Sequence, residues 1–329
     1  MINDYIKEHG LTSWLVQNGG EVYAFGINQD KSQHNKFILQ FNPGIAYKDN
    51  KIIASIRTVD YLIWMAADKD VMVSCEDFKY MSDDTIHSEL YVGETDKENI
   101  CLDNFKLVSI NRPENLTTYK GIEDCRLVVW NGELYASGTS RTGTDDWVTR
   151  IHLSHLVKDE SGNYYEDDHY VVPSSEYDYP SCEKNWMPVN DMPFTWIKWT
   201  NPTTVIRFDP QPLTVHTQTK IANDDISRNL RGSSNVITIG DYMYGIVHDV
   251  EIDTLRSEFY KRYLSYLVKF DKDFNLVGCS EKFTFDNTFA IQFVCGMIYD
   301  GEHIYISYST DDASSYVVKT RPEYIISLV

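Results

Sequence analysis

The stretch Gly121-Ile122-Glu123-Asp124-Cys125-Arg126-Leu127 places two carboxylates and a guanidinium directly ahead of an apolar run. Along an extended chain successive side chains face opposite ways, so Glu123 and Asp124 diverge while Arg126 shares the Asp124 face. One carboxyl group then enters a cleft and its neighbour pairs with the wall. Arg126 either holds a substrate hydroxyl or fixes Asp124 in place. A carboxyl group in an enclosed cleft is what protonation of a leaving glycosidic oxygen requires. The same spacing also suits an exposed turn ahead of a hairpin.

A second constellation, Cys182-Glu183-Lys184-Asn185-Trp186, brings a carboxylate, an ammonium, an amide and an indole together. Trp186 is a candidate platform for the apolar face of a pyranose, with Glu183 and Asn185 on its hydroxyls. The alternative is that Trp186 is core and its neighbours are solvated loop. A third, Arg231-Gly232-Ser233-Ser234-Asn235, offers hydroxyl and backbone N–H donors to an anion through Ser233 and Ser234. His248, ending the next hairpin, is either a cationic partner for phosphate or a structural histidine. Arg57 sits late in a run of apolar and small residues, where a charge is costly without a cavity or a partner. Asn42 precedes it. Asp311 and Asp312 close the last hairpin, as acidic ligands or as plain solvated loop.

Other chemistries lack their residues. The nine histidines include one close pair, His152 and His155, with no nearby cysteine and no HExxH. There is no nucleophile elbow, no GxGxxG after a strand and no P-loop. Neither a metal nor a cofactor is expected.

The elements that must position these groups read as strands. FILQF, KIIASIRT, YLIWMA, RLVVW, ELYASGTS, YVVPSS, TTVIRF, LTVHTQT, SNVITI, YMYGIVHDV, YLSYLVKF and HIYISYST are short β-branched or aromatic runs, most of them bounded by Gly, Asn, Asp or Pro. Asn131-Gly132 and Asp300-Gly301 are hairpin turns between apolar strands, and Asp49-Asn50 and Gly240-Asp241 are expected to act alike. Only short pieces, residues 1–9 and 151–157, have a helical look. Five segments, beginning near residues 41, 121, 183, 232 and 293, share the order loop, strand, tight turn, strand. Their separations approach the roughly 40–50 residues of a four-stranded propeller blade. The expected fold is all-β, a five-bladed β-propeller over residues 1–329 as one domain, with a Greek-key sandwich pair as the alternative.

The 329 residues carry a formal charge of −19, which repels nucleic-acid phosphates and leaves only a local basic pocket for an anion. Aromatics at 13% suit sheet faces and sugar platforms. The first residues, MINDYIKEHG, lack the apolar core of a signal peptide, and no run reaches the roughly 18 apolar residues of a membrane span. A cytoplasmic setting with reduced thiols follows as the expectation for the six scattered cysteines. In that setting the Asn115-Leu116-Thr117 sequon carries no glycan.

GIEDCRL and EKNWMPV, in this order, resemble the five-bladed β-propeller enzymes of glycoside hydrolase family 130, the β-mannoside phosphorylases and hydrolases, and the related β-1,2-mannosyltransferases. The resemblance runs from about residue 39 to 318. It implies inverting glycosyl transfer at a mannoside-like bond, with hydrolysis or non-catalytic glycan binding as alternatives. By the same resemblance Asp124 is the catalytic carboxylate, flanked by Glu123 and Arg126. Glu183, Lys184, Asn185 and Trp186 line the pocket, Arg57 is a first-blade clamp, and Asp311 is a substrate ligand. Ser233, Ser234 and His248 then meet the donor. The implied partners are an oligosaccharide or glycan acceptor and a phosphate, sugar 1-phosphate or nucleotide-sugar donor, with homo-oligomers compatible. Cys125 stands where the family motif has proline, which is expected to loosen the backbone at Asp124. GIVHDV replaces the phosphorylases' YHG, and their dense basic phosphate clamp is not visible in the sequence.

Overall fold

The computed structural model describes residues 2–26, 39–59, 61–65, 70–74, 88–110, 121–141, 149–173, 184–227, 230–252, 261–288 and 291–329. Glu183, the Asn115 sequon, Cys75 and Cys182 lie outside them. Five antiparallel sheets form five blades. Blade 1 begins with Leu39–Lys48 and Lys51–Val59, blade 2 with Glu123–Trp130 and Glu133–Arg141, and blade 3 with Met187–Pro188 and Thr195–Thr200. Blade 4 is built around Tyr242–Ile252 and Lys261–Asp271, and blade 5 around Gln292–Tyr299 and Ile304–Thr310. A separate two-stranded hairpin, Tyr61–Met65 with Asp70–Ser74, follows the second strand of blade 1.

The expected turns form where backbone preference allows them. Asp49 and Asn50, at φ 52° and 61°, and Asn131 with Gly132, at φ 54° and 81°, take the left-handed conformation of a two-residue hairpin that twists with its strands. One helical expectation fails. Residues 151–157 lie within the strand Thr149–Lys158, because Ile151 and Leu153 alternate into the wedge between blades 2 and 3, and sheet packing overrides local propensity. At the other end of the chain, Ile2–His9 is indeed helical.

Each wedge between neighbouring blades holds its own apolar cluster. Ile53, Val92 and Leu127 fill the wedge of blades 1 and 2. Trp130, Trp196 and Ile206 fill that of blades 2 and 3, and Ile197, Val247 and Phe270 that of blades 3 and 4. Ile246, Leu267 and Met297 pack between blades 4 and 5, where the two N-terminal helices add Ile6, Leu11 and Leu15. Ile45, Ile298 and Tyr305 close the ring between blades 5 and 1. The N-terminal strand Glu21–Ala24 pairs with Ser314–Thr320 as the outer strand of blade 5, so both ends of the chain share one sheet.

Around the axis the innermost strands almost touch. A Cβ on Gly44 of blade 1 would lie 2.2 Å from the Cys125 carbonyl oxygen of blade 2. One on Gly232 of blade 4 would lie 2.2 Å from the Asn185 oxygen of blade 3. Only glycine permits these approaches. Among the described residues no helix is long and apolar enough to cross a membrane, and Cys101, Cys125, Cys279 and Cys295 are free thiols.

Candidate active site at one mouth of the propeller

The first strands of blades 1, 2 and 5 each break register near the axis, between Phe41 and Gly44, Glu123 and Arg126, and Val294 and Gly296. A bulge adds a residue and re-aims the side chain at the break. Asn42 and Asp124 sit in two of these bulges with φ of 51° and 53°. Asn and Asp tolerate the left-handed region better than other residues bearing a Cβ.

The bulges bring three blades onto one carboxylate. Asn42 Nδ2 donates to Asp124 Oδ1 at 2.7 Å, and Arg57 Nη1 donates to the same oxygen at 3.1 Å. Both bonds land on Oδ1, which leaves Oδ2 without a partner among the described residues. Ser309 Oγ of blade 5 donates to Asn42 Oδ1 at 2.6 Å, which extends the chain of bonds across blades 5, 1 and 2. Arg57, 7% exposed, also pairs through Nη2 with Glu123 Oε1 at 3.2 Å and donates from Nε to Ser88 Oγ at 2.9 Å. Its guanidinium lies 5.0 Å from the centre of the Phe41 ring. Burial opposes the charge on Asp124, but the Arg57 and Arg126 guanidinium groups and the Asn42 bond outweigh it and hold the carboxyl below the usual aspartate range. Asp124 is therefore ionised at neutral pH.

Asp311, expected as a ligand, is exposed and is part of the hairpin closure. Its Oδ1 accepts from Ile291 N at 3.1 Å and its own N–H donates to Ile291 O at 2.8 Å. The next residue, Asp312, is the one whose charge is felt by the site. Burial, and then the charges of Asp124 and Asp311, push its pKa up to about 6 against the pull of Arg57. Both residues are left-handed, at φ 47° and 50°.

Arg126 does not reach a side-chain carboxylate or the open mouth. It is 2% exposed, its Nη1 donates to the Asp124 carbonyl at 2.8 Å, and its Nε donates across the axis to Ser233 O at 2.6 Å. This contact also answers the expected loosening at Cys125. Arg126 pins the Asp124 carbonyl, Cys295 Sγ lies 3.5 Å from the Cys125 carbonyl, and Gly44 packs against that same oxygen. One local and two tertiary contacts hold the bulge that a proline ring would otherwise stiffen.

Across the mouth, blades 3 and 4 are more closed. Trp186 is core, not a sugar platform: it is 2% exposed and meets Trp196 edge-on at 6.3 Å, with Lys198 Nζ 5.6 Å from its ring. Ser233 Oγ bonds His248 Nδ1 at 2.7 Å. Ser234 Oγ accepts from Ile246 N at 2.8 Å and donates to Asn235 O at 2.6 Å. Both serine hydroxyls are therefore engaged within blade 4. His248 stacks on Tyr263 at 5.5 Å and is 3% exposed. Burial, then Arg126, Arg231 and Lys184, lower its pKa to about 3, so it is neutral and not a cationic anion ligand. Those neighbours are themselves informative. Lys184 and Arg231 are exposed at the mouth, and Arg231 pairs with His248 across the strands. Asn185 is half-buried beside Lys184, with φ 62°.

One mouth thus gathers Asp124, Glu123, Arg57 and Asp312 on one side and Lys184 and Arg231 on the other. Sequence reading gave Ser309 no role, named Arg231 only as part of its loop without a role of its own, and gave Asp311 but not Asp312 as a substrate ligand. The missed signal is local: Asn and Asp at innermost strand breaks take the left-handed backbone that turns a side chain to the axis.

No known family profile and no curated protein sequence matches this chain. Solved structures do. The chain has the fold of the five-bladed propeller carbohydrate-active enzymes. Among these neighbours is a glycoside hydrolase of the GH130 family of mannoside phosphorylases that targets β-1,2-mannosidic linkages in Candida mannan, with a TM-score of 0.60, 12% identity and coverage of 88% of this chain and 86% of that one. A β-1,2-mannobiose phosphorylase from Listeria innocua, solved with β-1,2-mannobiose, has a TM-score of 0.55 and 12% identity over 93% of each chain. The mannose phosphorylase MPT-4 from Leishmania mexicana, solved with a phosphate ion, has a TM-score of 0.50 and 11% identity over 97% and 94%.

Proposed function

We propose that the protein is a glycan-processing enzyme that transfers a mannoside-type glycosyl group between phosphate and a sugar hydroxyl, with inversion. The observation that carries this reading is the Asp124 carboxylate, anchored through Oδ1 by blade 1 while Oδ2 has no hydrogen-bond donor among the described residues. That oxygen takes the proton of an acceptor hydroxyl as the new glycosidic bond forms and the bond to the departing phosphate breaks. In the reverse direction the protonated Asp124 returns the proton to the bridging oxygen, directly or through a sugar hydroxyl, while phosphate attacks the anomeric carbon from the opposite face. The depressed pKa of Asp124 favours the base form, which is the form that synthesis uses.

Lys184 and Arg231 supply the charge for the phosphate, and Arg126 adds a buried positive field behind them. Asp312 and Glu123 are acceptors for sugar hydroxyls around Asp124. Hydrolysis is the second reading, and Asp312 gives it substance: a second carboxyl at the same mouth is what activating water in place of phosphate needs.

The test is NMR of the protein with β-1,2-mannobiose, with and without phosphate, and of the reverse mixture of mannose and mannose 1-phosphate. Turnover that requires phosphate or the sugar 1-phosphate is expected, with a loss of about 10²–10⁴-fold in Asp124→Asn. Cleavage without phosphate moves the assignment to the hydrolase. Full activity in Asp124→Asn sinks the mechanism in either form.

A further inference from the structure

We propose that the opposite mouth of the propeller axis is a second binding site, for a neutral sugar residue. A cavity of about 260 Å³ opens there, lined by Tyr47 of blade 1, Val128 of blade 2, Asn190 and Asp191 of blade 3, Thr238 of blade 4 and Tyr299 of blade 5. Every blade contributes. The volume far exceeds that of a single water, which takes about 30 Å³ of liquid. It is separated from the Asp124 mouth by the layer in which Arg126 reaches Ser233 O and the inner strands close on Gly44 and Gly232.

The chemistry of the walls selects the ligand. The inner-strand residues Leu127, Val128, Ile237 and Ile298 are almost fully buried, so the accessible wall is of mixed polarity and is offered mainly by the rim residues Tyr47, Asn190, Asp191, Thr238 and Tyr299. Asp191, exposed at the rim, only accepts hydrogen bonds when ionised. At the inner end, Asn235 Nδ2 donates to two lining groups, Leu127 O at 2.7 Å and Asn190 Oδ1 at 2.9 Å. Donation to a carbonyl fixes which way the amide points. Its Oδ1 is then buried behind the lining with no hydrogen-bond partner among the described residues, a group that an ordered water would satisfy.

Among the described residues no Lys, Arg or His lines the cavity. Lys97, 5.9 Å from the Tyr47 ring centre, is already paired with Asp300 at 3.4 Å. A phosphate or a carboxylate would therefore meet acceptors and no cation. The Tyr47 and Tyr299 hydroxyls are tied to their own turns, at Asn50 Oδ1 and Gly301 O, which orients the two rings at the rim. Acceptors and two oriented aromatic rings match a ligand that donates through hydroxyls and presents an apolar face. A sugar ring has both. This site stands independently of the reaction proposed for Asp124.

Isothermal titration of the full chain with methyl β-mannoside tests it, alongside Thr238→Trp, which fills the cavity mouth, and Asp191→Ala, a change on an exposed turn. Wild type is expected to show a binding event that Thr238→Trp abolishes and Asp191→Ala weakens about tenfold. Any binding at the Asp124 mouth survives both changes, so failure of the catalytic reading and failure of this one are read separately. Titrations identical in wild type and both variants overturn the proposal. So does a cavity that takes methylammonium and leaves the mannoside unbound.

Discussion

The two sides of the Asp124 mouth are built from the same repeat and put to opposite uses. On the side of blades 5, 1 and 2, polar groups run Ser309 to Asn42 to Asp124, and Arg57 bridges Glu123 and Asp124. Each group there is held, and Oδ2 of Asp124 has no partner among the described residues. On the side of blades 3 and 4, Trp186, Ser233, Ser234 and His248 turn inward and satisfy one another. Among the described residues of these two entry loops, Lys184 and Arg231 are exposed. The difference follows the backbone. Asn42, Asp124 and Asp312, which form or adjoin the acidic cluster, have positive φ, as does Asn185 beside Lys184. The residues that proved to be core do not.

This contrast is breakable. The largest effect is expected from Trp186→Ala, which empties a fully buried indole site and should cost about 3–5 kcal/mol in denaturant unfolding. The milder Trp186→Phe should leave the KM for a mannoside nearly unchanged. A tenfold rise in KM with stability intact would put the indole back on the sugar. Next comes Asp312→Asn. With a pKa near 6 when folded, against 3.8 for an ordinary aspartate, Asp312 makes the native chain bind more protons between those values. Stability is therefore lost as pH rises through that window. The variant should melt higher than wild type above pH 6, with the gain gone below pH 4. Equal melting curves at both pH values would remove Asp312 from the Asp124 field. Smallest is Ser309→Ala, which deletes the far end of the relay and should cost about 1 kcal/mol and a several-fold loss of turnover. No change in turnover would confine the relay to structure.

Much of the architecture was legible because it rests on short-range rules. Alternating β-branched runs and Asn-Gly or Asp-Asn turns mark hairpins whatever the tertiary context, and the five-fold spacing follows from stacking similar hairpins around an axis. The grouping of Asp124, Glu123 and Arg57 was legible too, since charges so close to apolar runs need partners. What stayed hidden was direction. Strict strand alternation puts Arg126 and Asp124 on one face, but the bulge between Glu123 and Arg126 breaks that alternation and sends Arg126 into the axis. Trp186 reads equally well as platform or core until the wedge containing Trp130 and Trp196 is seen. Between Asp311 and Asp312 periodicity gave no guide, because two successive left-handed residues turn the chain in a way it does not encode.

The shared sheet of blade 5 also sets an order of events during synthesis. The strand Glu21–Ala24 leaves the ribosome well before its partner Ser314–Thr320, which lies on the far side of all five blades in sequence. At about 5–20 residues per second, the early strand waits some tens of seconds with its edge unpaired. Until then the ring is open, and blade 1 lacks the Ser309 that steadies Asn42 and, through it, Asp124. The nascent chain therefore acquires its complete acidic cluster only at the moment of closure.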